Sequence, residues 1–269
     1  MSASLLAVYA HPDDEVFTGG VLAHYAALGV SVTLVCVTNG DAGKITDPDI
    51  QVSSAEELAR LREGELRASA EILGVREVVT LGYGDSGREE RTRGPGDARA
   101  LANADLLEVE QKIREVVERV RPQVVLTFDP HGAYGHADHL ATHRATSAAF
   151  FSTGHLEGAP KRLFFGVLTN ETAKQIGEER GLDPHVYGVS DDTVTFTLEV
   201  SDYVDKKQAA LKVHRSQMGP TSRMAQMTEE ARAQMADFFT KESFALGGFR
   251  GPLELPLKGL FDGLGLDIV

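Results

Sequence analysis

The chain has 269 residues, 42% of them hydrophobic, enough to enclose one large globular core. Its 40 acidic and 27 basic residues give a formal charge of −13, a balance that repels nucleic-acid phosphates and anionic membrane surfaces. The longest apolar runs, such as 5–10 and 30–37, are too short to cross a bilayer, and the first residues lack a charged-then-apolar leader pattern. A cytoplasmic protein with no nucleic-acid or membrane partner is expected, and its single cysteine, Cys36, rules out an internal disulfide.

In chain order, residues 5–9 read as a buried strand, 16–28 as a helix stopped by Gly29, and 30–37 as a second strand closed by Thr38-Asn39-Gly40. Ser53-Ser54-Ala55-Glu56-Glu57 carries the cap-then-acid signature of a helix start. It predicts a helix to Leu73 that stops at Gly74 and leads into a strand over 77–81. The glycine-rich stretch 82–98 reads as a lid or binding loop, and Arg88, Arg91, Arg93 and Arg99 as a solvated basic patch. Residues 101–121 are helical in pattern, Pro122 breaks them, and 124–128 is the short apolar run of a central parallel strand. Beyond it, 139–151 and 203–214 read as helices and 162–168 and 193–200 as strands. This alternation predicts a Rossmann-like three-layer α/β sandwich with a mostly parallel central sheet. It forms a single domain over 1–269, with a C-terminal extension from about residue 220. The first strand leads into His-Pro-Asp-Asp and not G-x-G-x-x-G, which disfavours a nicotinamide cofactor.

Ligands of open α/β sheets bind at the carboxyl ends of the strands. Two motifs fall there. Ala10-His11-Pro12-Asp13-Asp14-Glu15 follows the first strand, and His136-Ala137-Asp138-His139 follows the strand over 124–128. Catalytic zinc takes three nitrogen or oxygen ligands and keeps one position open, and His11, Asp14 and His139 can fill those places. Iron(II) and cobalt(II) accept the same donors. Pro12 fixes the turn so that the two carboxylates diverge, leaving Asp13 as the general base for water. His136 and His139, three residues apart, share one face of a helix start, with His143 one turn further on.

At these residues the chain resembles the zinc-dependent LmbE/PIG-L family of N-acetylglucosaminyl deacetylases, which also includes sugar-amide hydrolases of low-molecular-weight thiol metabolism. Residues 10–15 match the family's A-H-P-D-D-E signature and 136–139 its H-x-D-H signature. Segments 62–75, 82–87 and 207–217 are similar to further family stretches, so the resemblance covers most of 4–220. It implies one zinc ion on His11, Asp14 and His139, with Asp13 activating water. In the same pattern His136 stabilises the oxyanion and protonates the leaving amine, Asp138 orients His136 and holds it charged, and Tyr134 contacts the carbonyl oxygen. Glu15 is expected to fix the motif turn, Asp41, Arg62 and Asp85 to grip sugar hydroxyls or an attached acidic group, and His214 to lie near the substrate.

The implied activity is removal of the acetyl group from an N-acetylglucosamine-containing small molecule or glycoside. The alternatives are cleavage of a larger sugar-thiol amide and non-catalytic carbohydrate binding; Asp13 and His136 argue against the latter, since binding needs neither a base nor an acid. Met218, Met224, Met227 and Met235 read as adaptable packing. The leucine-rich tail over 250–269 is expected to pad the core or to meet a second subunit in a homo-oligomer.

Overall fold

The computed structural model describes residues 3–88, 97–174, 187–229, 236–266 and 268; Arg91, Arg93 and Met235 lie outside the described residues. Seven strands form one sheet: β1 (Ser4–Tyr9), β2 (Ser31–Thr38), β3 (Glu77–Tyr83), β4 (Val124–Phe128), β5 (Arg162–Val167), β6 (Phe196–Glu199) and β7 (Lys241–Phe249). Their spatial order is β3-β2-β1-β4-β5-β7-β6, and only β7 runs against its neighbours. The expected mostly parallel α/β architecture is therefore present.

The alternation of a strand's side chains between its two faces divides the core into two layers. Leu5, Ala7 and Tyr9 of β1 face Leu22 of α1 (Gly19–Ala27), Leu66 and Leu73 of α2 (Ala55–Leu73) and Leu211 of α5 (Val204–Val213). Leu6 and Val8 face Val109, Ile113 and Val117 of α3 (Leu106–Val120) and Ala141, Ala145 and Ala149 of α4 (Ala137–Ser152). Each large aliphatic side chain buried this way contributes about 1.5–3 kcal/mol.

Local chemistry sets the helix ends. Ser54 Oγ accepts the Glu57 N–H, and the Glu57 carboxylate returns to the Ser53 N–H at 2.7 Å, the reciprocal cap that the sequence predicts. Gly74 ends α2 at φ 79°. Several boundaries differ from the sequence reading, three of them at helix starts. The helix expected from residue 101 is a short turn, Leu101–Asn103, followed by α3, because Asp105 is extended and its carboxylate caps the Leu107 N–H at 2.9 Å. The first helix opens with a 3-10 turn, Asp14–Thr18. The helix expected from 139 begins at Ala137, with His136 as its cap.

Strand β7 is absent from the sequence reading, because Gly247 and Gly248 mask its pattern. The glycine is needed there: a Cβ at Gly247 would lie 2.3 Å from the Phe165 ring. The tail pads the core, with Leu257, Leu260 and Phe261 buried and the Leu260 N–H on the Tyr25 hydroxyl at 2.8 Å. Among the described residues no helix is long and apolar enough to cross a membrane.

Candidate active site

Strand order reverses at β1, from which β2 leads one way and β4 the other, and this is where open α/β sheets form a crevice. His11 lies just past the end of β1, and His136 and His139 just past the end of β4. The two motifs therefore meet across the switch point. His11 Nδ1 is 3.1 Å from Asp14 Oδ2 and 3.2 Å from His139 Nε2, and His139 Nε2 is 3.2 Å from Asp14 Oδ2.

The turn that delivers these groups is tied from four sides. Asp13 has φ 122°, a region a non-glycine residue occupies only when its surroundings enforce it. The Glu15 carboxylate accepts the Asp13 N–H at 2.9 Å, and the Asp14 carboxylate accepts the His11 N–H at 2.7 Å. Glu15, fully buried, also takes the Ser69 hydroxyl and His214 Nε2 at 2.6 Å. Arg62 donates to the carbonyls of Pro12 and Gly40, with Nη2 3.4 Å from the Asp13 carboxylate.

Second contacts fix the ring orientations. His139 Nδ1–H donates to the Gly132 carbonyl at 3.0 Å, which leaves Nε2 as the lone pair. His11 Nε2 faces the Asp138 carboxylate at 3.0 Å and Asp85 at 3.5 Å, which directs Nδ1 into the triad. Asp138 is held in turn by the Ser86 hydroxyl and by the Ser86 N–H at 2.9 Å. Asp138, expected to orient His136, lies nearer to His11, and its carboxylate is 4.0 Å from His136 Nδ1. The reason is the helix start, where His136 Nδ1 accepts the Asp138 N–H at 3.2 Å and leaves Nε2–H as a donor.

A cleft of about 200 Å³ is lined by His11, Asp13, Asp14, Arg62, Asp85, Tyr134 and His136, together with Lys44, Arg88 and Gln217. His139 and Asp138 are buried behind it. Asp41 stands one layer back, accepting the Asp85 N–H at 2.9 Å. His214, expected near the substrate, is fully buried against Glu15 and does not reach the cleft. Arg62 is likewise a scaffold for the turn, only 3% exposed, although its edge lines the cleft. Ser86 and Gln217 carry no role in the sequence reading; the serine is hidden there within the glycine loop that brings it to Asp138.

The electrostatics favour a cation. Burial works against the His11 imidazolium, yet Asp14, Asp85 and Asp138 raise its pKa well above the ordinary value. Asp14 is likewise buried, and His139 and His11 pull its pKa well below that of a free carboxyl. Burial raises Asp13 to about 6, against the Arg62 charge. Burial and the neighbouring rings of His11 and His139 lower His136 to about 4. Ring nitrogens of His11, His136 and His139 all lie within 4.8 Å of one another, a group that could hold a metal ion. The 3.1–3.2 Å spacing of the His11, Asp14 and His139 donors is close to the about 3.3 Å between corners of a tetrahedral ion with 2.0–2.1 Å bonds. The donor set fits a divalent metal.

The profile of the PIG-L family, described as GlcNAc-PI de-N-acetylase, matches residues 6–150, which contain both motifs. The chain belongs to the PIG-L family. The chain is 34% identical to a 1D-myo-inositol 2-acetamido-2-deoxy-alpha-D-glucopyranoside deacetylase of Actinosynnema mirum, over 97% of each protein. Among solved structures it is similar to the N,N'-diacetylchitobiose deacetylase of Pyrococcus horikoshii, with a TM-score of 0.59 and 22% identity over 91% of this chain and 84% of that one. It is also similar to GalB, the 4-carboxy-2-hydroxymuconate hydratase of a Pseudomonas, with a TM-score of 0.63 and 21% identity over 94% and 99%. These two structural likenesses concern the fold alone; chemistry has to be argued from the site.

Proposed function

We propose that this PIG-L family protein is a zinc-dependent hydrolase that removes acetate from an N-acetylglucosamine-containing small molecule or glycoside. The observation that carries the reading is the His11, Asp14 and His139 corner with Asp13 beside it in one cleft. The full-length relative that deacetylates a glucosaminyl inositol supports a substrate of the same class. A divalent cation held by those three residues would polarise the acetamido carbonyl and make water a better nucleophile near neutral pH.

Asp13 faces the cleft beside these donors and accepts the proton of the water that attacks the carbonyl carbon. His136 offers its Nε2–H to the carbonyl oxygen as that oxygen gains charge. Tyr134, whose ring centroid is 4.9 Å from that of His139, stands on the same wall. As the carbon–nitrogen bond breaks, the nitrogen needs a proton, and the carboxyl of Asp13 returns the one it took. This reassigns the acid that the sequence reading placed on His136, because burial and the rings of His11 and His139 lower that imidazole to about 4 against the Asp138 carboxylate 4.0 Å away, and its Nδ1 accepts the Asp138 N–H.

The test is release of acetate and free amine from 1D-myo-inositol 2-acetamido-2-deoxy-α-D-glucopyranoside and from N-acetylglucosamine by zinc-loaded protein. Asp13→Ala should slow turnover by about 10²-fold or more. Zinc-loaded protein that hydrolyses neither amide overturns the reading.

A further inference from the structure

The loop between β4 and α4 presents Tyr134 and His136 to the cleft, and its conformation is improbable for its sequence. Gly132, Ala133 and Gly135 all have positive φ, and Ala133, at φ 60° and ψ −54°, sits near the strained γ-turn region. Something must hold it there. Asp129, at the end of β4 and with 0% exposure, accepts the Ala133 N–H on Oδ1 at 2.8 Å, while its own carbonyl accepts the Gly132 N–H at 3.0 Å. Among the described residues its Oδ2 has no hydrogen-bond partner.

The clamp leads straight to a metal donor. The Gly132 carbonyl is the acceptor of His139 Nδ1–H, and a Cβ at Gly132 would lie 2.7 Å from the Cβ of His139. The other face of the imidazole is stacked on Phe128, with centroids 4.1 Å apart and planes 10° from parallel. The ring can thus present Nε2 to His11 and Asp14 only while the Gly132 carbonyl stays where Asp129 puts it.

We propose that Asp129 is a positioning residue for the metal centre: by clamping the strained Ala133 it sets the carbonyl that fixes His139 as a ligand. The inference rests on the metal reading given above. Nothing in it requires a negative charge at Asp129, only an acceptor oxygen; burial raises the pKa of this carboxyl, while the Ala133 N–H and the His131 and His143 side chains work against that rise.

Three variants test it, read by zinc affinity in chelator competition and by the visible spectrum of cobalt-substituted protein, with turnover alongside. Asp129→Ala should weaken zinc binding about 10–100-fold, the usual cost of losing an outer support, and alter the cobalt spectrum. Turnover should fall through kcat, with KM unchanged, because the residue does not line the cleft. Asp129→Asn keeps an acceptor oxygen and should stay within about threefold of wild type. Ala133→Gly in the Asp129→Ala background should recover at least about tenfold in affinity, since glycine tolerates positive φ unaided.

Wild-type affinity and spectrum in Asp129→Ala overturn the clamp, as does a tenfold loss in Asp129→Asn or no recovery in the double variant. If Asp129→Ala does not fold, the Asn variant and the double variant still decide. Wild-type protein that binds zinc but releases no acetate refutes the deacetylase reading and leaves the clamp standing.

Discussion

His11 Nδ1 and His139 Nε2 lie 3.2 Å apart although 128 residues separate them in the chain. Each ring is oriented from behind, His11 by Asp138 and His139 by the Gly132 carbonyl, and the two nitrogens that face each other also face Asp14 Oδ2, at 3.1 and 3.2 Å. Two lone pairs at that distance repel, and only a shared cation or a proton makes the arrangement favourable. The fold spends two tight loops, one with Asp13 and one with Ala133 at positive φ, to create it.

A metal ion must therefore displace a proton. In its absence the carboxylates of Asp14, Asp85 and Asp138 keep His11 protonated well above the ordinary imidazole range. Zinc affinity should rise with pH across neutrality, and calorimetry in two buffers of different ionisation enthalpy should register net proton release on binding. His139→Ala should abolish the tight site and the rise in Tm that zinc gives the wild type.

Arg62 and Asp13 predict the acid limb of the pH profile. Asp13 is ionised above about pH 6 and protonated below it, and only the ionised form accepts a proton, so kcat/KM should fall on the acid side. A bound cation favours the carboxylate and places the limb of the loaded enzyme at or below that value. Arg62 lowers the Asp13 pKa across 3.4 Å, so Arg62→Gln should move the limb to higher pH. A limb that stays in place in that variant excludes Asp13 as the titrating base.

How much of this was legible from sequence follows from what each contact depends on. The strands, the caps at Ser54 and Gly74 and the two motifs at strand ends rest on local pattern, and the switch point then brings His11, Asp14 and His139 together. The partner of Asp138 was not legible: the family pattern pointed to His136, whereas the approach of the 82–87 loop and of β1 brings Ser86 and His11 closest to its carboxylate. His214 was drawn toward the substrate by its place in a motif, and three-dimensional packing gives it to Glu15. Strand β7 stayed hidden because its glycines answer to Phe165 and Phe150, which are remote in the chain.

The Glu15–His214 pair predicts a stability effect with a definite pH window. Both groups are fully buried, so removing one strands the other, and His214→Ala should cost about 3–5 kcal/mol. Despite burial, Glu15 holds the His214 pKa above 6.5, which makes that contribution complete below 6.5 and lost as pH rises through the folded value. Glu15 is lowered from 4.5 by His214 against its own burial, so its share is complete above 4.5 and lost as pH falls through the folded value. Urea midpoints of metal-free wild type and variant should differ most between about pH 4.5 and 6.5. A difference that is flat from pH 4 to 9 contradicts the ion pair.

Asp138 and His136 are neighbours in one motif, yet the geometry separates their roles. Asp138 supports His11, a donor in the proposed metal site, so Asp138→Ala should weaken zinc binding about 10–100-fold and lose turnover with it, with partial recovery at high zinc. In the proposed mechanism His136 supports the reacting oxygen, so His136→Ala should bind zinc normally and lose about 3 kcal/mol of transition-state stabilisation, roughly 10²-fold in kcat, at any zinc concentration. Measuring chelator-competed zinc affinity and kcat for both variants checks the division. If Asp138→Ala retained full zinc affinity and shared the His136→Ala defect, the two would act as a unit, and the carboxylate would serve His136 in solution despite its 4.0 Å separation.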